Sequence, residues 1–267
     1  HNHASLVDGC RESRARVVVT PHTDVAAIET ALDSAGRDAL VITESVFSVN
    51  GDLAPLAELH EVARRYGARL LIDDAHGVGL LGPAGAGGVA AAGLAGEPDV
   101  IVTATLSKAF GAAGGVIAGP YELIDSLIDT GRTFIYDTGL PPAVGAGALA
   151  ALDVIRAADD LRAEVRSRAT ALAKALSGAG LPVWEPAAGV LSVGAPSPGE
   201  AVAWADACRD RGVAVGCFRP PSTPDGTSRL RLTINAGVPR SAFDNAVEQI
   251  LAAAPGRSGD AERWPRL

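Results

Sequence analysis

LAPLAELHEVARRYGARLLIDDAHG, residues 53–77, is the stretch on which the fold turns. Its first half places apolar residues at Leu56, Leu59, Val62 and Ala63, a helical spacing, and Gly67 is positioned to stop the helix. Its second half, Arg69-Leu-Leu-Ile-Asp73, is a short apolar run of the kind a strand shows when both of its faces are buried. Ala39-Leu-Val-Ile-Thr43 upstream has the same character, so strand, helix and strand form one βαβ unit. Further runs at 100–103 and 115–119 add two strands, and parallel pairing is the natural expectation for the set.

Outward from this core, Pro141-Pro142 interrupts the pattern, and helical spacing over 144–158 and 161–176 leads away from it. Strand candidates follow at 181–184, 190–193, 213–218 and 230–234, with helices over 199–211 and 240–254. The expected class is α/β, with a mostly parallel sheet in a large domain over 1–142 and a smaller α+β domain over 143–255. The polar stretch 256–267, with no periodicity, is expected to be a flexible tail.

The 267 residues are 48% hydrophobic, enough for a substantial core, and carry a formal net charge of −8. That charge leaves no basic surface for phosphate backbones, so a small metabolite is expected as partner and nucleic acid is not. The three cysteines, Cys10, Cys208 and Cys217, form no C-x-x-C pair, which argues against a disulfide framework and a thiolate metal site and favours the cytoplasm. No apolar run reaches the roughly 18 residues of a membrane span. The chain contains no methionine and opens at His1-Asn2-His3, so the large domain is expected to be N-terminally shortened.

In α/β sheets ligands gather at the C-terminal ends of parallel strands. Three strands here end in Thr43-Glu44-Ser45-Val46-Phe47-Ser48, in Asp73-Asp74-Ala75-His76-Gly77 and in Thr103-Ala104-Thr105-Leu106-Ser107-Lys108. A lone loop lysine is usually a solvated one. Lys108, however, follows a buried strand and precedes a run rich in Gly and Ala, where partial desolvation would make its amine a nucleophile for a Schiff base and a proton carrier. Asp73 ends an apolar strand, so its carboxylate needs a partner, and a protonated pyridine nitrogen would serve. The alternative for Asp73-Asp74 is a loop opening with a helix cap. His76 is a candidate donor to a ring oxygen, or a plain loop histidine. A metal held by Asp73, Asp74 and His76 lacks a second ligand cluster, and no metal is expected. Gly77-Val-Gly79-Leu-Leu-Gly82 matches the dinucleotide fingerprint only formally, because Asp-Asp-Ala-His separates it from the strand and Pro83 stands where a helix should start.

Together with Asn2-His3-Ala-Ser5, Gly51-Asp52, Arg219-Pro-Pro and Arg229-Leu-Arg231-Leu-Thr233, these segments resemble the α-oxoamine synthases, enzymes of PLP-transferase fold type I that join an amino acid to an acyl thioester with loss of carbon dioxide. The resemblance covers nearly the whole chain and implies pyridoxal 5′-phosphate (PLP) as cofactor. It implies that Lys108 bonds covalently to PLP, His3 stacks on its ring, Asp73 pairs with the ring nitrogen and His76 contacts the phenolic oxygen. Ser48 and Thr105 would lie near that oxygen and the phosphate, and Thr138 would reach the phosphate of a neighbouring subunit in a homodimer. Arg231 would hold the substrate carboxylate, with Glu44 and Ser222 as further substrate-side candidates. Among family members, the Arg219 and Arg229 to Thr233 segments look most like the one that condenses L-alanine with a pimeloyl thioester, carried by CoA or an acyl carrier protein, in biotin biosynthesis. Sister activities of the glycine C-acetyltransferase or 5-aminolevulinate synthase type, or a noncatalytic family member, are the alternatives. Asn50 departs from the aspartate common in the family, and Ser222-Thr223 from its threonine-valine.

Overall fold

The computed structural model describes residues 1–35, 38–223, 225–256 and 264–265. The chain divides into two compact units, one of Asn2–Phe47 with Leu53–Asp159 and one of His1, Ser48–Asp52 and Asp160–Leu267.

The first, the sheet unit, runs α1 (Ala4–Glu12), α2 (Val25–Asp33), β1 (Leu40–Glu44), α3 (Leu56–Arg65), β2 (Arg69–Asp73), a 3-10 turn (Pro83–Gly85), α4 (Gly88–Ala91), β3 (Val100–Thr105), β4 (Gly115–Ala118), α5 (Tyr121–Thr130), α6 (Arg132–Ile135) and α7 (Pro142–Ala157). The strands lie in the order β1-β2-β3-β4. The βαβ unit of residues 39–73 is present as expected, with β1, β2 and β3 parallel. β4 corrects the expectation of parallel pairing, since it runs antiparallel to β3. Only residues 106–114 separate the two strands, too short for the crossover of a dozen or more residues that a parallel neighbour requires.

Leu56, Leu59, Val62 and Ala63 of α3 share one buried cluster with Leu70 and Ile72 of β2, which is where the helical stripe and the apolar strand were legible. At the end of α3, Gly67 adopts φ +67° and donates its N–H to Arg64, while Ala68 donates to Ala63; this is a Schellman turn, and the left-handed conformation needs glycine. Burial fades across the sheet. After the exposed Arg69, β2 alternates buried and half-buried residues, whereas every residue of β4 is exposed and α5 buries none.

The C-terminal unit contains α8 (Asp159–Gly178), β5 (Val190–Gly194), α9 (Pro198–Asp210), β6 (Gly216–Phe218), β7 (Arg229–Thr233) and α10 (Arg240–Ala252), its strands forming an antiparallel sheet in the order β5-β7-β6. Trp204 anchors its core, with the indole N–H donating to the Ile250 carbonyl at 3.0 Å. Two strand candidates shrink. Leu181 gives its N–H to Leu176 and Val213 gives its own to Cys208, so both are used in ending helices; only the Val183–Val193 bridge and β6 remain. Of the expected tail, residues 257–263 and 266–267 lie outside the described residues, and Trp264 is buried. Among the described residues no helix is long and apolar enough to cross a membrane.

Candidate active site

The register of the sheet unit aligns Glu44, Asp73 and Thr103 as successive partners across β1, β2 and β3. Parallel strands that end together present their succeeding loops along one edge. The ladder continues for one further residue, with Ser45 N donating to the Asp73 carbonyl at 2.9 Å and Asp74 N to the Thr103 carbonyl at 2.7 Å. Glu44 is only 2% exposed, and Asp73 is half-buried. An Asp73 carboxylate oxygen accepts the Ala75 N–H at 3.0 Å, which orients the carboxyl at the strand's end. His76, also half-buried, lies in the next turn, closed by Gly77 and Val78 donating to the Asp74 carbonyl.

Asp74 has a different surrounding. It is 1% exposed and accepts from the Ser45 hydroxyl, from Gly88 N at 3.0 Å and from Val89 N at 3.3 Å. Burial raises its pKa against the opposing effect of these three donors, and the charge of Asp73 adds to the rise. The glycine-rich stretch is wrapped around this carboxyl, because a Cβ at Gly77 would fall on Asp74 Oδ1 and one at Gly87 on Oδ2. Of the two readings of the acidic pair, the helix-cap one therefore belongs to Asp74, which caps α4, and the site reading remains for Asp73.

Where β3 ends, the hydroxyls of Thr105, its last residue, and of Ser107 lie 2.7 Å apart, and Ser107 N donates to Thr105 Oγ1 at 3.2 Å. Leu106 and Gly114 close the base of the loop, within which Gly111 N donates to the Lys108 carbonyl. Lys108 itself is exposed. The partial desolvation expected for it is thus not provided by these residues, because the neighbouring β4 and the elements after it bury so little. His3 is exposed at the start of α1, where its ring accepts the Ser5 N–H, and the Asn2 side chain ties that start to the Ile42 carbonyl at 2.9 Å. Thr138 is exposed, its N–H donating to Asp137.

Ser48, Ser222 and Arg231 belong to the C-terminal unit. Arg231 is half-buried and donates through Nε to the Ser48 carbonyl at 2.6 Å, whereas Ser222 is exposed with its N–H on the Arg219 carbonyl. The neighbour of Arg231 two residues back on β7, Arg229, is the more deeply buried, 1% exposed. Its guanidinium donates to Asn50 Oδ1, Asp225 and the Thr227 carbonyl and lies 4.3 Å from the Trp184 ring centroid. Arg229 was recognisable only as part of a motif, since strand alternation puts it on the same face as Arg231 and does not say which of the two is buried.

A separate cluster, His60, Glu97 and Asp99, brings three potential metal-binding atoms within 4.8 Å of one another. Arg64 pairs with both carboxylates and His60 bonds Asp99 at 2.9 Å, so the cluster is an ion-pair network.

A family model described as aminotransferase class I and II matches residues 1–250. The 8-amino-7-oxononanoate synthase of Mycobacterium sp. (strain JLS) is 52% identical over 258 residues, 94% of this chain and 66% of that protein. The same enzyme from Mycolicibacterium paratuberculosis (strain ATCC BAA-968 / K-10) is 55% identical over 240 residues, 89% of this chain and 61% of that protein. The chain thus spans just under two thirds of the length of these curated relatives. Among solved structures, a serine palmitoyltransferase from S. paucimobilis with a bound PLP–myriocin aldimine superposes with a TM-score of 0.89 at 32% identity, over 94% of this chain and 64% of that one. The 8-amino-7-oxononanoate synthase of Francisella tularensis superposes at 0.81 and 26% identity, over 94% and 72%. The PLP-transferase type I fold expected from the motifs is therefore the fold found. From the ordered motifs, the edge they build and these matches, the chain belongs to the aminotransferase class I and II family and, within it, to the α-oxoamine synthases.

Proposed function

We propose that this chain is the larger part of a PLP-dependent acyltransferase that condenses L-alanine with a pimeloyl thioester, with decarboxylation, to 8-amino-7-oxononanoate. The observation that carries the reading is the row Glu44–Asp73–Thr103 at one sheet edge, with the Lys108 loop leaving the adjoining strand. The identity of 52% to relatives named for this activity supports the choice of substrates.

The donor set fits PLP: a carboxylate at a strand end, a lysine amine, an imidazole and a pair of hydroxyls are the groups its ring nitrogen, aldehyde, phenolic oxygen and phosphate require. Asp73 would hold the ring nitrogen, its carboxyl kept in place by Ala75 N–H. His76 and Ser48 would face the phenolic oxygen, Thr105 the phosphate, and His3 the ring face. Bound PLP supplies an electron sink for the pair left at the substrate's α-carbon. Lys108 would anchor the cofactor, remove the α-proton from the amino acid and return a proton after carbon dioxide has left. Arg231 would receive the amino acid's carboxylate in a charge-assisted pair, and Glu44 and Ser222 would border the substrate. The assembly is a cytoplasmic homodimer in which Thr138 reaches the neighbour's phosphate site; the exposure of Lys108 and Thr138 supports a site completed by more than this chain. The acyl carrier is CoA or an acyl carrier protein.

The test is borohydride reduction of the full-length enzyme with added PLP, followed by peptide mapping. A PLP adduct on Lys108, absent from Lys108→Ala, is expected, together with product from L-alanine and pimeloyl-CoA and little from glycine or L-serine. An adduct on another lysine, or turnover of glycine in preference to L-alanine, would reject the reading.

A further inference from the structure

Residues Ser48–Asp52 leave the sheet unit and lie on the C-terminal unit as a strap. Its successive residues meet defined rungs of the sheet. β5 and β7 pair Ser192 with Arg231, and the strap gives the Ser48 carbonyl to Arg231 Nε and the Val49 carbonyl to the Ser192 hydroxyl at 2.5 Å. Two residues along β7, where Gly194 pairs with Arg229, the strap presents the Asn50 side chain to the Arg229 guanidinium. The Gly51 carbonyl accepts from Ala187 N at 3.0 Å, and Gly51 passes so close to Val190 that a Cβ there would strike the Val190 carbonyl.

We propose that Arg229 is a positioning residue for Arg231: by holding Asn50 it sets the register of the strap, so that the Ser48 carbonyl orients the Arg231 guanidinium toward the substrate carboxylate. This rests on the carboxylate-binding role given to Arg231 above. Arg229 is suited to the task because its own bonding is consumed. Asp225 balances its charge, Thr227 accepts from it, the Trp184 face covers it, and burial keeps substrate away. The Asn50 side chain accepts from Arg229 through Oδ1 while its Nδ2 end lies 3.3 Å from His1 Nδ1, so a neutral side chain with a contact at each end fixes the strap there.

Removing Arg229 would strand Asp225 beside a buried void and endanger folding, so the test alters Asn50 in the full-length, PLP-loaded enzyme. Asn50→Ala is expected to raise KM for L-alanine about 10-fold while leaving kcat and KM for pimeloyl-CoA within about 2-fold, and Asn50→Asp, which keeps the acceptor, to restore the wild-type KM. Hydrogen exchange of peptides covering Ser48–Asp52 should quicken in Asn50→Ala only. Unchanged KM with quickened exchange would reduce the contact to scaffold, and unchanged exchange would remove it altogether; both overturn the proposal. A wild-type enzyme that does not turn over L-alanine would instead overturn the function on which the proposal rests.

Discussion

Asp74 binds its proton more tightly in the folded chain than in the unfolded one, because burial outweighs the donors that favour its charge. A group raised in this way contributes stability below its unfolded pKa, near 3.8, and loses it as pH climbs through the raised folded value. The unfolding free energy of wild type minus that of Asp74→Asn should therefore decline with rising pH across that window, as read by urea titrations at several pH values; a flat difference would contradict it. Thr223 offers a second single-residue test. It is 3% exposed, and its hydroxyl has no hydrogen-bond partner among the described residues. Thr223→Val should raise the unfolding free energy by about 1 kcal/mol, because an unpaired buried hydroxyl is replaced by an isosteric methyl. The difference between Asp73 and Asp74 was not legible in the sequence, which shows two acids in tandem and says nothing of the glycines from 77 to 88 that close around the second. The place of Lys108 and His76 after strands was legible, but not the exposure of Lys108, which depends on what packs over β4.

At the scale of elements, Gly87 in the loop around Asp74 and Gly93 just after α4 separate two costs that a glycine substitution usually mixes. Gly87 and Gly93 both have positive φ, +106° and +75°, yet only a Cβ at Gly87 meets anything, namely Asp74 Oδ2. Gly93→Ala should cost about 1 kcal/mol for backbone strain, and Gly87→Ala at least twice that, measured as the loss in unfolding free energy. α3 was readable because its apolar residues repeat at the helical period, and β1, β2 and β3 because each is a short unbroken apolar run. α1 has no buried residue and so offers no stripe to read. α2 carries one readable signal at its start, since the Asp24 side chain caps it through Ala27 N at 2.9 Å. The direction of β4 was also recoverable from the length of the 106–114 loop, whereas its apolar composition, shared with the parallel strands, pointed the other way.

For the whole molecule, the main asymmetry is a sheet well covered around β2 and open at β4. β4 is an edge strand whose Val116 and Ile117 are 45% and 51% exposed, the kind of edge that pairs with other chains. A polypeptide of these 267 residues should self-associate at micromolar concentration, and Ile117→Lys should shift it toward monomer in light scattering coupled to size exclusion. An unaltered elution profile for the variant would place the association elsewhere. Fold class and family were legible in the order of the motifs; the division of the chain was less so, because the strap leaves the sheet unit within the unbroken run from Thr43 to Leu56. That strap also imposes a schedule. Ser48 waits for a partner 183 residues further along the chain, and Asn50 for one 179 residues further along. During synthesis at about 5–20 residues per second, the βαβ core can form while the strap still lacks its partners on β5 and β7, and the C-terminal unit can close only after β7 has emerged. Closing the C-terminal unit is thus the capture of a segment made well before the residues that hold it.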